Sequence, residues 1–534
     1  MIKKEWFLFF SAVLMLSACN WFKGKEKVQR DLTINQQTSF NTLFLDSVAV
    51  DRFLSSNSEF LPFAEQYNDF YTHRNFEFAW FDSTGLSEQA HNFFNLQNNY
   101  ISKIGDSSIQ NNALNKLYES FNDKKFTPTS SNADVLKTEL LFTGQFFKYA
   151  AKVYKGADLD MAELGWFIPR KKINLTALLD SVIEKKADSP DRYAVLNSQY
   201  KLLENNVAHY IALEKKETTD TIPYVPKPLK MGDSSAIIAL VKSRLGLLQD
   251  DIQLDATLLY DSLMQRSVKK FQKRYGLLVD GAIGNRMIAE LNIPIKKRVQ
   301  QLLVNMERAR WMPQENDSNY IVVNIPEFKM HIYDSGRQAF EMNVIVGSAA
   351  NNTVIFNGNL RYIVFSPYWN VPESIVKKEI MPAMRRNGNY ITNHNMEITG
   401  YSGKVPIVRQ KPGANNSLGL VKFLFPNSYS IYLHDTPNRN LFIQTGRGLS
   451  HGCIRIADPK KFAQYLLRSD TTLWNSTTID SAMHLNKEKW VTLKKTVPVF
   501  LVYFTAWVDK NGILNFRKDI YGHDSKMASK LFNE

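Results

Sequence analysis

Residues 50–215 alternate aromatic-rich amphipathic runs with polar breaks, as in "SEFLPFAEQYNDFYTHR". In "VLKTELLFTGQFFKYAAKVY", Leu136, Leu140, Leu141 and Phe147 recur at helical spacing, which predicts a helix with a buried stripe. "ETTDTIPYVPKPLKMGD" then places three prolines in a polar stretch and reads as a linker. Beyond it, "SSAIIALVKSRLGLL" predicts one amphipathic helix and the segment around the Asp280-Gly281 break predicts two more. The last third changes period. "NYIVVNIPEFKMHIYDSGRQAFEMNVIVGS" alternates apolar and polar residues around Asp334-Ser335-Gly336, a hairpin signal, and "LRYIVFSPYWNVP" and "SIYLH" continue in that style. Between them "ESIVKKEIMPAMRRNGNYITNHNMEITGY" is more helical and polar, as an insertion over one end of a sheet would be. The expected architecture is multidomain α+β: a mainly helical region over 46–220, a three-helix module over 226–295, a mainly β domain over 318–505 with an inserted cap at about 368–430, and an extension over 506–534.

The N-terminus has its own pattern. Lys3 and Lys4 precede an apolar run from Trp6 to Leu16, followed by Leu16-Ser17-Ala18-Cys19. This is the layout of a secretion signal that ends at an acylated cysteine. The run falls short of the roughly 20 residues of a membrane-crossing helix. The expectation is therefore a signal over 1–18, lipid on Cys19 and a polar tether over 19–45, with the protein exported to the periplasmic side of a bacterial membrane, in a Gram-negative type of envelope. The chain has only two cysteines, so lipidation of Cys19 leaves Cys453 as the one thiol and excludes an intramolecular disulfide. A net charge of +14 suits an anionic envelope polymer, and suits a solvated basic surface equally well. No nucleic-acid-binding signature is present, and no cofactor is expected.

Candidate chemistry concentrates in "GRGLSHGCIRI", residues 446–456. A cysteine nucleophile needs a base, a group to orient that base, and donors for the oxyanion. His434 in "YLHDTP" and His451 both offer an imidazole, and spacing does not choose between them. In an extended strand His451, Cys453 and Arg455 share a face. A cation at Arg455 would lower the thiol pKa and could hold a substrate carboxylate. Asp435 is a poor third member of a triad, because neighbours on a strand point opposite ways. A zinc site from His434, His451 and Cys453 has no CxxC or HExxH spacing behind it, so no metal is expected. An inert buried cysteine is the plain alternative. Gly452 argues against it, since a glycine directly before the thiol implies close backbone approach. Asp458-Pro459 begins a helix whose buried stripe is Phe462, Tyr465 and Leu466.

Two resemblances extend this reading. Lys230, Gly232, Asp233, Val268, Phe271, Gln272, Gly276, Leu277, Asp280, Gly281 and Gly284 resemble the opening and core of the three-helix peptidoglycan-binding module. His434, fifteen residues, then Ser450-His451-Gly452-Cys453 and Arg455 resemble the signature of the YkuD-type L,D-transpeptidases. "FYTHRNFEFAW", "TELLFT", "YWNVPESI", "PGANNSLGLVKFLFPN", "IYLHDTPNRNLF" and "FTAWVDKNGILNFRKDIY" are similar to the large periplasmic branch, with scaffold domain, peptidoglycan-binding module and capped catalytic domain. The resemblance implies that Cys453 is the nucleophile and His434 the base, its ring oriented by a backbone carbonyl. It further implies that His451 is a catalytic residue that shapes the pocket and contacts substrate or assists the oxyanion site, that Ser450 lines the pocket, that Gly452 and Cys453 donate to the oxyanion, and that Arg455 and Tyr432 contact substrate. The implied reaction is acyl transfer between peptidoglycan tetrapeptide stems, donor and acceptor, with release of D-alanine and formation of a 3→3 cross-link. Water as acceptor would make the protein an L,D-carboxypeptidase, a protein lysine would make it a protein-to-wall ligase, and a degenerate site would leave a peptidoglycan-binding protein. Carbapenem β-lactams are the implied covalent inhibitors.

Overall fold

The computed structural model describes residues 32, 43–122, 127–170, 172–184, 197–217, 220–248, 257–313 and 319–532. The signal, the acylation site Cys19 and the tether up to residue 42 lie outside them, apart from Leu32. Leu43, Phe44 and Leu45, which the sequence reading assigned to the tether, are buried. Leu43 O and Leu45 N bond to Phe78 N and Phe76 O, so these residues are part of the first compact unit described below.

The chain divides into two compact units, 1–155 with 172–195, and 156–171 with 196–534. The first is helical around Ala133–Ala150, which starts on an Asn132 cap and is buried along most of its length. Leu140, Leu141 and Phe147 are in its core as their spacing predicts. Glu139 is buried as well: its carboxylate accepts from Ala79 N at 2.6 Å, Trp80 N at 2.9 Å and the Tyr71 hydroxyl at 2.9 Å. The helix is thereby tied to the Phe81–Asp82 and Gly85–Leu86 hairpin that follows.

In the second unit, Ala236–Leu248, Ser262–Arg274 and Asn285–Leu291 form the three-helix module around Ile238, Val241, Val268, Phe271 and Ile288. Its motif residues serve the fold. The Gln272 side chain accepts from Gly281 N and donates to Ala282 O and Asp280 Oδ1, and Gly281 takes a φ of +72° in that turn. Helix Ser198–Glu214 packs on Ile295–Trp311 in this unit and not among the helices of 46–195. Residues 156–171 also belong here, because Trp166 is buried against Trp311 and Phe504. The helical region expected over 46–220 is therefore interrupted, and its last helix pairs with the helix after the module.

The catalytic-motif region is a nine-stranded sheet. Its strands are β1 Tyr320–Asn324, β2 Lys329–Asp334, β3 Arg337–Gly347, β4 Asn357–Phe365, β5 Val421–Leu424, β6 Leu433–His434, β7 Gly448–Ser450, β8 Ile454–Ile456 and β9 Lys489–Val502. The order is β7-β3-β8-β6-β5-β4-β9-β1-β2, and β2 pairs again with β3, closing the sheet on itself. Ser335 and Gly336 take φ of +52° and +74° in the predicted hairpin turn between β2 and β3, the geometry that matches strand twist. Ile321, Val323, Met330, Ile332, Phe423, Leu433, Ile454, Ile456 and Leu501 are fully buried and form the core. Asp458 caps helix Pro459–Leu466 from its side chain to Lys461 N, as expected.

The cap is smaller than its expected span of about 368–430 and is part β. Trp369–Asn370, Val405–Gln410 and Met396–Ser402 form a three-stranded sheet under short helices, with Val371, Val376, Ile380 and Val408 as its own core. Val421–Leu424 lies instead in the main sheet, because its Val421 and Phe423 side chains are fully buried between β4 and β6. The segment 506–534 also joins the second unit: Ala506–Val508 pairs with Leu514–Phe516, and Asp524 meets Arg308 at 2.5 Å.

Candidate active site

Strand pairing builds the site. β6 and β8 run parallel with Leu433 opposite Ile454 and His434 opposite Arg455. Side chains of paired residues lie on the same side, and that side recurs every second residue. Leu433, Ile454 and Ile456 therefore fill the core. Tyr432, His434, Cys453 and Arg455 share the other face, joined by Lys422, which is opposite His434 on β5. The rings of Tyr432 and His434 lie 5.7 Å apart.

His434 is buried and points Nδ1 at the carbonyl of Asp435, 2.5 Å away. A carbonyl only accepts, so Nδ1 carries the proton and Nε2 is left as the acceptor. The Asp435 carboxylate is otherwise engaged, with Arg439 at 2.5 Å, Leu420 N at 2.8 Å and Thr436 N at 2.7 Å. Burial, helped by the cations Arg455 and Lys422, pushes the imidazole down to about 3. His434 is thus a neutral base at any ordinary pH.

Cys453 is half-buried, and its thiol donates to Ser430 O at 3.6 Å. Burial pushes the thiol up, more than the Tyr432 hydroxyl and Arg455 bring it down. The sequence reading expected Arg455 to lower it; desolvation reverses the net sign. Thiol and imidazole therefore both rest neutral. Arg455 is largely buried, and its Nε has no hydrogen-bond partner among the described residues.

The turn 450–453 departs from a strand. Gly452 has a φ of +118°, and the nearest atom to a Cβ placed there is 3.9 Å away, so the glycine serves the backbone angle and not a close approach. His451 and Cys453 are therefore not neighbours on a regular strand. His451 is more than half exposed, with Nε2 3.4 Å from Glu379 Oε1 of the cap. Ser450 Oγ donates to Cys453 O at 2.6 Å and accepts from Gly452 N at 3.1 Å. Of the two expected oxyanion donors, Gly452 N–H is thereby taken up within the turn, and Cys453 N–H remains.

The loop 347–353 buttresses this turn and was missed from sequence. Thr353, fully buried, accepts from Gly347 N at 2.9 Å and donates to Gly452 O at 2.8 Å, and Ser348 N donates to Ser450 O at 2.9 Å. Tyr521 donates to Gly347 O at 2.5 Å from the C-terminal segment. The one sequence cue was the small, polar "GSAANNT" after a strand. Among the described residues, no group of three or more His, Cys, Asp or Glu could hold a metal ion.

Family models match three stretches: "L,D-transpeptidase catalytic domain" over 318–480, "Scaffold domain" over 65–206 and "Putative peptidoglycan binding domain" over 238–291. Residues 318–480 are a YkuD-type L,D-transpeptidase catalytic domain. A Haemophilus influenzae protein named "Putative L,D-transpeptidase" is 34% identical over 253 residues, 44% of this chain and 51% of that protein. The chain thus spans about half the length of the curated relative it matches. Among solved structures, the L,D-transpeptidase of Xylanimonas cellulosilytica (residues 123–326) is 16% identical over 52% of this chain and all of that one, with a TM-score of 0.18. An L,D-transpeptidase in complex with imipenem is 15% identical over 35% of this chain and 59% of that one, also at 0.18.

Proposed function

We propose that this protein is a peptidoglycan L,D-transpeptidase that forms 3→3 cross-links, exported and tethered by lipid on Cys19. The observation that carries the reading is the shared face of Tyr432, His434, Cys453 and Arg455, with His434 Nδ1 committed to the Asp435 carbonyl and Nε2 left to accept a proton. Cys453 gives its proton to Nε2 as the sulfur attacks the amide between the L-centre of the third-residue diamino acid and the terminal D-alanine of a tetrapeptide stem. The C–S bond forms, the C–N bond breaks, and the D-alanine amine takes the proton from His434. Cys453 N–H faces the oxyanion. An amine of a neighbouring stem then attacks the thioester: C–N forms, C–S breaks, and the proton returns through His434 to the sulfur. Arg455, with an unpartnered Nε, holds a donor carboxylate, and Tyr432 lines the same face.

Muropeptide analysis of wall material incubated with the purified protein is the test. Cross-linked tripeptide dimers and free D-alanine are expected, and both vanish in Cys453→Ala; persistent release in that variant refutes the mechanism. Thiol acylation by a carbapenem should fall about 10²- to 10⁴-fold in His434→Ala, and far less in His451→Ala. Equal losses would remove His434 from the base role.

A further inference from the structure

Charge around the nucleophile is one-sided. Arg455 and Lys422 share its face, and the nearby carboxylate of Asp435 is neutralised by Arg439 and backbone N–H groups. Such a face suits a donor carboxylate, but it opposes an amine acceptor, which is a cation in neutral water. The cap is basic too: residues 368–417 hold seven Lys and Arg against three carboxylates. Two of the three are used within the cap. Glu373 pairs with Lys377 at 2.5 Å, and Glu397 pairs with Arg409 and Lys411. The third, Glu379, meets no cap cation and is turned to His451, two residues from Cys453.

Its placement has a backbone cause. Pro382 has no N–H to donate to the carbonyl four residues before it, so the helix widens through Val376–Ile380, and Met381 N bonds back five residues to Val376 O. Single wide turns of this kind recur at functional sites. This one carries Glu379, between Val376 and Ile380 rooted in the cap core.

We propose that Glu379 is the acceptor-binding residue: its carboxylate, beside His451 and so close in the chain to Cys453, binds the ammonium of the incoming diamino-acid side chain and so sets the choice of a cationic amine over water. The inference rests on the transpeptidase reading above. The bound ammonium sheds one proton to solvent. The neutral nitrogen then attacks the Cys453 thioester, forming C–N as C–S breaks, and its surplus proton passes through His434 to the sulfur. Binding the amine equally before and during attack lowers the acceptor KM and leaves the maximal rate of transfer little changed.

The test compares Glu379→Gln with the unaltered protein on a tetrapeptide donor, reading the ratio of amine transfer to hydrolysis. Both products draw on one thioester pool, so changes in its formation cancel. With a diamino-acid stem below saturation, the ratio should fall about two- to fivefold, the range of a half-exposed ion pair. The acceptor KM should rise to match, and the effect should shrink in high salt. With hydroxylamine, uncharged at neutral pH, the ratio should match that of the unaltered protein. A ratio that holds for the cationic amine, or falls equally for both nucleophiles, overturns the proposal. An unaltered protein that forms no thioester from the tetrapeptide overturns the underlying reading as well, and is told apart by that absence.

Discussion

Thr353→Val tests whether the nucleophile turn is held from behind. Valine keeps the shape of threonine and removes only the hydroxyl, which bridges Gly347 N and Gly452 O at 2.9 and 2.8 Å in a fully buried position. Each buried group left without a partner costs about 1–3 kcal/mol. The pair should therefore weaken the 347–353 loop against the 450–453 turn by about 2–6 kcal/mol. The chain has more than one domain, so a global melting point would blur this. Local hydrogen exchange does not: the Gly347 amide should exchange roughly 5- to 150-fold faster, the equivalent of its own share. Acylation of Cys453 should fall about tenfold or more, because freeing Gly452 O lets the strained φ relax and displaces the sulfur. Thr353→Ser, which keeps the hydroxyl and loses one methyl, should restore most of both. Exchange in Thr353→Val no faster than in the unaltered protein, or a serine variant as impaired as the valine one, would refute the bracing role.

Four further outcomes follow from the site. With the imidazole of His434 near 3 and the thiol above its usual value, kcat/KM for acylation should show no inflection near 6.5; an acid limb there, in a pH series with a carbapenem, would mean that His434 is not desolvated. The same shift bears on stability: unfolded His434 takes up a proton below 6.5 and folded His434 does not, so its contribution is present above pH 6.5 and is lost as pH falls toward 3, as denaturation at stepped pH should report. Gly452→Ala places a Cβ without a clash, 3.9 Å from the nearest atom, at φ +118°, a backbone cost of about 1–3 kcal/mol; acylation should drop at least tenfold with the circular dichroism unchanged, and full activity would show the angle to be dispensable. Arg455→Met should raise the donor KM about tenfold or more, and much less for a donor whose carboxylates are capped as amides, while iodoacetamide alkylates Cys453 within about threefold of the normal rate; equal losses on both donors would exclude carboxylate binding.

The sheet was legible because period-two alternation survives wherever one face is buried, and the β2–β3 hairpin because Ser335-Gly336 matches the turn it occupies. His434, Cys453 and Arg455 were legible as types and spacing, but their common face depends on a parallel register between segments twenty residues apart, which no local pattern encodes. His451 misled the reading because two-residue spacing was taken as a strand, whereas Gly452 turns the chain there. Ser198–Glu214 has the same amphipathic look as the helices before it; only its packing on Ile295–Trp311 assigns it to the second unit. Thr353 and Glu379 lay beyond sequence for a similar reason: each acts across a gap of some seventy residues or more, on a partner that nothing in its own neighbourhood names.

Arg455 also shows why position and sign must be weighed together. A cation beside a thiol favours thiolate, and the same cation beside an imidazole disfavours imidazolium; Arg455 does both, to Cys453 and to His434. Transfer of the proton from sulfur to nitrogen creates both charges at once, so the two effects oppose each other. Arg455 is therefore a poor activator of the pair. Its desolvated guanidinium, with Nε unmatched among the described residues, is well placed for a carboxylate brought by the substrate. Such a carboxylate would offset the part of the imidazole's shift that Arg455 causes, while burial, the larger cause, remains.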